Sequence, residues 1–179
     1  SHAECIIDRG RFGRLTVCLQ SRRCERLLRE RGMASAEKRA GRVTTEGKVG
    51  YRLAEENRRD TMVAVGCETE PVSNNEEFLA FAEKVLKAVE ADGPGAEAAL
   101  DEERVLLAGK LGENIVVTGT VRFEAVNGGM IAAYAHPPRN KIGVLLPMRG
   151  GSDELARKVA MHIAALRPNW IGRDDVPEE

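Results

Sequence analysis

The feature that most restricts the fold is an apolar stripe near the middle of the chain. Phe78, Phe81, Ala82, Val85, Leu86 and Val89 recur at intervals of three and four residues, which places them on one face of an α-helix. Such a face has to be buried against another element. Ser73, Asn74 and Asn75 precede it. The spacing predicts Asn74 as the cap, with Glu77 three residues later returning a bond to the cap's N–H. Glu76 and Glu77 in the first turn suit the positive end of the helix dipole. "ADGPG", Ala91 to Gly95, ends the helix.

Around this helix the periodicity changes to two. Val49 to Leu53 and Thr61 to Cys67 read as strands, and the charged segment Glu55 to Asp60 turns the chain between them into a hairpin. A helical stretch follows the glycine break to about Lys110. Ile115, Val117, Gly119, Val121 and Phe123 then alternate with smaller or polar residues. Asn127 to Gly129 supplies the positive-φ positions of a hairpin turn, and Met130 to His136 is the return strand. "HPPRN", His136 to Asn140, is a rigid polar loop before a third strand, Ile142 to Leu146, where Pro147 ends the pairing or marks an edge. Ser152 caps a last helix, whose expected apolar face is Leu155, Val159, His162, Ile163 and Leu166 and which Pro168 stops. Short turns make the sheets antiparallel, so the class is α+β: a hairpin and a three-stranded meander packed with helices.

At 179 residues, 42% hydrophobic and 31% charged, the chain can bury a real core. No apolar run approaches the roughly 20 residues of a membrane span. The first residues lack a continuous apolar stretch, so no signal peptide is expected. Cys5, Cys18, Cys24 and Cys67 form no CxxC pair and read as reduced thiols of a cytoplasmic protein. The net charge of −1 conceals an asymmetry, because residues 1–42 hold eleven Arg and Lys against five Asp and Glu. This pattern marks nucleic-acid arms, or a small basic helical module beside an acidic body, and the second reading is favoured. Within it, a basic helix is expected from Cys18 to Arg31, with Gly32 as its C-terminal cap, and a second short helix from Met33 to near Gly41. The basic helix has no interleaved aromatics, which weakens RNA stacking. Three regions follow: 1–42, basic and helical; 43–140, a first core subdomain; and 141–179, the start of a second, incomplete one.

Candidate chemistry is sparse. Cys67, Glu68 and Glu70 are close in sequence, but strand alternation separates the first two and no histidine is adjacent, so no metal site is expected. Cys67 lacks the orienting partner of a nucleophile and reads as a small apolar residue at a strand end. His162, on its helix's apolar face, reads as a hydrogen-bonded core or interface histidine. His136 differs, since it ends a strand before a stiff loop and is placed to meet a partner. Gly150 to Ser152 precedes a helix but lacks any phosphate-loop spacing. No enzyme site and no cofactor are expected; a binding module is.

Several segments resemble the bacterial elongation factor Ts family: "LRERGMASAEKRAGRVTTEG", Leu28 to Gly47; "VGCETEPVSNNEEFLAFA", Val65 to Ala82; "EERVLLAGKLGENIVV", Glu102 to Val117; "AYAHPPRNKIGVLL", Ala133 to Leu146; "DELARKVAMHIAALRP", Asp153 to Pro168; and "RDDVPEE". The resemblance implies a core of two related α+β subdomains after a small helical domain. It also implies a guanine nucleotide exchange factor for elongation factor Tu, active in translation, that disturbs the magnesium and phosphate end of the nucleotide site. In the family, an Asp-Phe pair after Cys-Glu-Thr pushes into the GTPase's G domain. Here Glu70 and Pro71 hold those positions, followed by Val72, so the implied wedge keeps its charge and loses its phenyl ring. Leu111 and Gly112 match an Ile-Gly pair, and His136 matches a histidine that faces the partner's third domain. The family's Thr-Gly-Ala-Gly-Met-Met-Asp opening has no counterpart in residues 1–24, and the family continues beyond the position of Glu179. Apolar surface left uncovered there would favour a homodimer. Docking without exchange, and RNA binding through the basic helix, are the alternatives.

Overall fold

The computed structural model describes residues 30, 32–34, 36, 38–54, 59–170 and 172–177. The basic helix expected from Cys18 lies outside the described residues apart from Glu30, and residues 55–58 of the first turn lie outside them too. Gly32, expected as a cap, is itself helical, as are Met33, Ala34 and Ala36. Its smallness serves packing instead. A Cβ on Gly109 would lie 3.0 Å from both Gly32 Cα and its carbonyl oxygen, so two backbones meet where neither residue has a side chain.

Strands β1 (Glu46–Ala54) and β2 (Arg59–Cys67) form the expected hairpin, in register from Glu46↔Cys67 to Ala54↔Arg59. A four-residue helical turn, α1 (Glu70–Ser73), leads into α2 (Glu76–Asp92). A 3₁₀ turn, Ala96–Leu100, leads into α3 (Asp101–Leu111). Then come β3 (Val116–Glu124), β4 (Met130–Ala135), β5 (Gly143–Met148) and α4 (Asp153–Leu166). No helix among the described residues is long and apolar enough to cross a membrane.

The class is α+β with antiparallel sheets, as expected, but the strands partition differently. Among the described residues β3, β4 and β5 do not form the expected meander. β3 returns across α2 and α3 to pair with β2, giving a sheet of order β1-β2-β3, while β4 and β5 pair only with each other. Asn127 and Gly128 do take positive φ, 54° and 74°, yet they pass the chain from one sheet to the other instead of closing a hairpin. The physical reason lies in β2, which is buried along nearly its whole length and so needs a neighbour on each edge. Residues 140 and 141, where the sequence reading divides the subdomains, both lie in the turn of the β4–β5 hairpin, so a division there would cut that hairpin.

Val63, Val65 and Cys67 on one face of β2 pack with Phe78, Phe81, Val85, Leu86 and Val89 of α2, and Leu107, Ala108 and Ile115 complete this core. The apolar stripe is buried as its spacing predicts. Its cap is Asn75, not Asn74: the Asn75 side chain accepts the N–H groups of Glu77, at 2.9 Å, and Phe78. Asn74 is engaged one turn earlier as the C-cap of α1, which the sequence does not announce. Arg52 of β1 ties the strand to α2, donating to Glu90 at 2.8 Å and to Glu83; the Glu90 bond and the two carboxylates hold its guanidinium more strongly protonated than usual.

A second cluster joins β4, β5 and α4 through Tyr134, Ala160 and Ala164, with Ile142, Val144 and Leu146 against them. α4 is turned relative to expectation. Its buried stripe is Ala156, Ala160 and Ala164, whereas Leu155, Leu166 and His162 are exposed. The alanines let the helix lie close to a two-stranded sheet, and larger residues at those positions would hold it off. The hairpin meets the first sheet at Gly143, where a Cβ would stand inside contact distance of Val49 Cγ1 and 2.8 Å from Met62 Sδ.

Candidate functional site

The site is the junction where β2 hands over to α1. Cys67 ends β2 fully buried, and its thiol donates to the Thr69 carbonyl at 3.3 Å. Burial, aided by Glu113 and Glu46, pushes this thiol up to about 11. A nucleophilic cysteine needs the opposite shift, so Cys67 is a core residue, as its position suggests.

The next two residues are held by a reciprocal pair of carboxylates. Glu113, in the loop after α3, accepts the backbone N–H groups of Glu68 and Thr69 at 3.0 Å each, and the Thr69 hydroxyl as well. Glu68 answers by accepting the Asn114 N–H at 2.7 Å. Asn114 is buried, and its side-chain amide donates to the carbonyls of Ala40, at 3.3 Å, and Arg42, at 2.8 Å. Arg42 reaches Glu68 at 3.5 Å. Three separate segments, 40–45, 67–69 and 113–114, are thereby locked together.

Thr69 is also the N-cap residue of α1, so the short helix projects directly from the lock. Pro71 sits in its first turn, where a missing N–H costs nothing. The Ser73 hydroxyl, the Asn74 N–H and the Asn74 amide all donate to the Glu70 carbonyl, at 2.8, 3.2 and 3.1 Å. Pro71 is exposed, Glu70 is half-buried, and Val72 packs against the first core. Of the three expected contact residues, Pro71 is thus the outermost and Val72 anchors the turn from beneath.

The other expected residues lie at the end of α3 and on the loop after β4. Leu111 packs on the core, and Gly112 closes α3 at φ 79°, its N–H on the Ala108 carbonyl. His136 is exposed at the end of β4, with its Nδ1 2.8 Å from the Tyr134 hydroxyl. Its loop folds back on the junction: Arg139 pairs with Glu70 at 3.3 Å, the Asn140 carbonyl accepts the Val49 N–H at 2.7 Å, and Lys141 pairs with Glu46. The structure therefore links Glu70 to the histidine loop, and the Glu68–Thr69 backbone to the loop after Gly112. It does not bring His162 to this region by any hydrogen bond or ion pair.

Reading residue by residue misses Glu113, Asn114 and Arg139. The signal for the first two was a Gly-Glu-Asn run directly after a helix; a carboxylate and an amide at a helix end have backbone groups to satisfy.

The family model described as Elongation factor TS matches residues 68–179, beginning at Glu68 itself. Proteins named Elongation factor Ts from Thioalkalivibrio sulfidiphilus, Hydrogenovibrio crunogenus and Paraburkholderia xenovorans are 39%, 40% and 40% identical over 163, 164 and 167 residues. Those matches cover 86%, 85% and 88% of this chain and 55%, 54% and 55% of the relatives. The chain thus spans about half the length of the curated relatives it matches. The matched span, which runs from the carboxylate lock through the histidine loop to the last helix, shows that this chain belongs to the elongation factor Ts family.

Proposed function

We propose that the chain is a translation elongation factor of the cytoplasm that binds elongation factor Tu and promotes exchange of GDP for GTP. In this reading it performs no covalent chemistry. The turn Glu70–Pro71–Val72 meets the G domain near the magnesium and phosphate end of the nucleotide site. Leu111, Gly112 and His136 give further contacts. Exchange then follows from reciprocal coupling: a factor that weakens nucleotide binding is itself displaced by nucleotide.

The observation that supports this reading is the projecting turn itself. It sits within the family's matched span, it is capped and cross-bonded, and it carries an exposed apolar residue beside a carboxylate. The test is stopped-flow release of a fluorescent GDP from elongation factor Tu. Many-fold acceleration by this protein is the expected result, and an unchanged rate counts against the reading.

Pro71 favours a second reading, docking without exchange. Proline offers far less apolar surface than phenylalanine. Binding in a pull-down without faster GDP release would select this alternative. We further propose that the second subdomain begins with β4, and that Leu155, Met161, Leu166 and Trp170, all exposed, favour a homodimer. Sedimentation across a concentration series tests the dimer. The nucleic-acid alternative falls on residues outside those described, and steep salt dependence of RNA affinity would support it.

A further inference from the structure

We infer that Glu113 is a positioning residue for the Glu70–Pro71–Val72 turn, acting through the Thr69 backbone; this inference rests on the exchange reading above. One carboxylate receives three donors from two successive residues, the N–H groups of Glu68 and Thr69 and the Thr69 hydroxyl. Thr69 is the extended residue, φ −128° and ψ 154°, from which α1 starts. Fixing its N–H and its side chain together fixes the direction in which the short helix leaves the sheet.

Among the described residues the other polar ties are weaker or do not reach outside the turn: the Cys67 thiol on the Thr69 carbonyl is a weak donor, and Val72 anchors the turn by apolar packing alone. The bonds to the Glu70 carbonyl are all internal to the turn and set its shape without setting its direction. The Arg139–Glu70 ion pair joins an exposed arginine to a half-buried glutamate at the surface, and such pairs hold weakly. Bonds to an ionised acceptor are the stronger kind. Glu113 is also held from its own side, because Asn114 next to it is bonded through its N–H to Glu68 and through its amide to the segment at 40–42. The carboxylate is therefore a fixed point against which the turn is aimed. A lever that has to press on a partner's nucleotide site needs such a fixed point, since a small misdirection forfeits contact geometry.

The test is the same GDP-release assay with elongation factor Tu, run to saturation, on the wild type, Glu113→Gln, Thr69→Val, and each of these in a Glu70→Ala/Pro71→Ala background. Glu113→Gln keeps one acceptor of the two. It is expected to lower the saturating release rate about tenfold while the half-saturating concentration moves less than about twofold. Thr69→Val, which removes only the hydroxyl, is expected to shift the rate in the same direction by less. In the background without the tip, both substitutions are expected to have less than about a twofold effect, because a residue that acts through another has nothing left to position. A purely structural role would lower melting temperature and act equally in both backgrounds, and that outcome overturns the inference, as does a wild-type rate in Glu113→Gln. Should Glu113→Gln not fold cooperatively, Thr69→Val decides alone, and an unchanged rate there overturns the inference. A wild type that leaves GDP release unaltered overturns the exchange reading and this inference with it, whereas a responsive wild type with insensitive variants overturns the inference alone.

Discussion

Glu68 and Glu113 each hold the other's backbone: the Glu68 carboxylate takes the N–H that follows Glu113, at 2.7 Å, and the Glu113 carboxylate takes the N–H of Glu68, at 3.0 Å. Removing either partner leaves an N–H group without its acceptor. Glu68→Ala strands the Asn114 N–H beside a buried side chain. Bonds to charged acceptors are worth about 1.5–3 kcal/mol, and the half-exposed Arg42 pair adds less than about 1 kcal/mol. Glu68→Ala is expected to lower unfolding stability by about 2–3 kcal/mol in urea titration, with an unchanged slope.

Asp60 carries the pH dependence. It is fully buried on β2, and neither carboxylate oxygen makes a well-formed hydrogen bond among the described residues. Burial pushes its carboxyl from 3.8 up to about 6, with only partial relief from the Ala54 backbone. The folded state then binds more protons than the unfolded one between about pH 4 and 6, so stability falls as pH rises through that window. Above it the full penalty is about 3 kcal/mol, at roughly 1.4 kcal/mol for each pK unit. Asp60→Asn is expected to stabilise by up to that amount at pH 7 and by nothing near pH 3.5. Urea midpoints measured from pH 3.5 to 8 check this; an advantage that does not grow across the window refutes it.

Gly143 sets the distance between the two sheets. Alanine there would drive a methyl group into Val49 Cγ1 and toward Met62 Sδ, 2.8 Å away. The methionine can swing aside, but Val49 on β1 cannot. Overpacking of this kind costs about 1–3 kcal/mol. Gly143→Ala is expected to lower the melting temperature, and Val49→Ala in the same chain to restore part of the loss.

Pro71 is the test of the tip. Pro71→Phe adds apolar surface at the outermost position of α1. If about 1.5 kcal/mol of that burial is realised against elongation factor Tu as GDP leaves, release accelerates about tenfold. Stopped-flow rates at saturation check it, and an unaltered rate would mean that the native turn already makes its full contact.

The sequence spoke most clearly where one periodicity ran uninterrupted. The stripe from Phe78 to Val89, the β1–β2 hairpin, the Ser152 cap and the stop before Pro168 all stand where spacing put them. It misled where a local pattern had two tertiary outcomes. Asn127 and Gly128 suit a hairpin turn, and only the burial of β2 on both sides decides that β3 joins β2 instead. In α4 the large residues read as the buried face, yet the short distance to a two-stranded sheet selects Ala156, Ala160 and Ala164. For the candidate site, family resemblance pointed to Glu70 and Pro71, whereas the bonds of Glu113 and Asn114 to the adjoining Glu68 and Thr69 leave no period in a sequence, because they join residues about 45 positions apart.

That separation has a consequence for how the protein is made. The turn at Glu70 can form its internal bonds as soon as Asn74 has been added to the chain, but its orientation awaits Glu113. A nascent chain leaving the ribosome therefore displays the signature residues well before they point anywhere in particular, and contacts of such long range close late. On the proposed function, productive engagement of a partner follows only after α3 has emerged, and a fragment ending ahead of Glu113 carries the residues without the geometry.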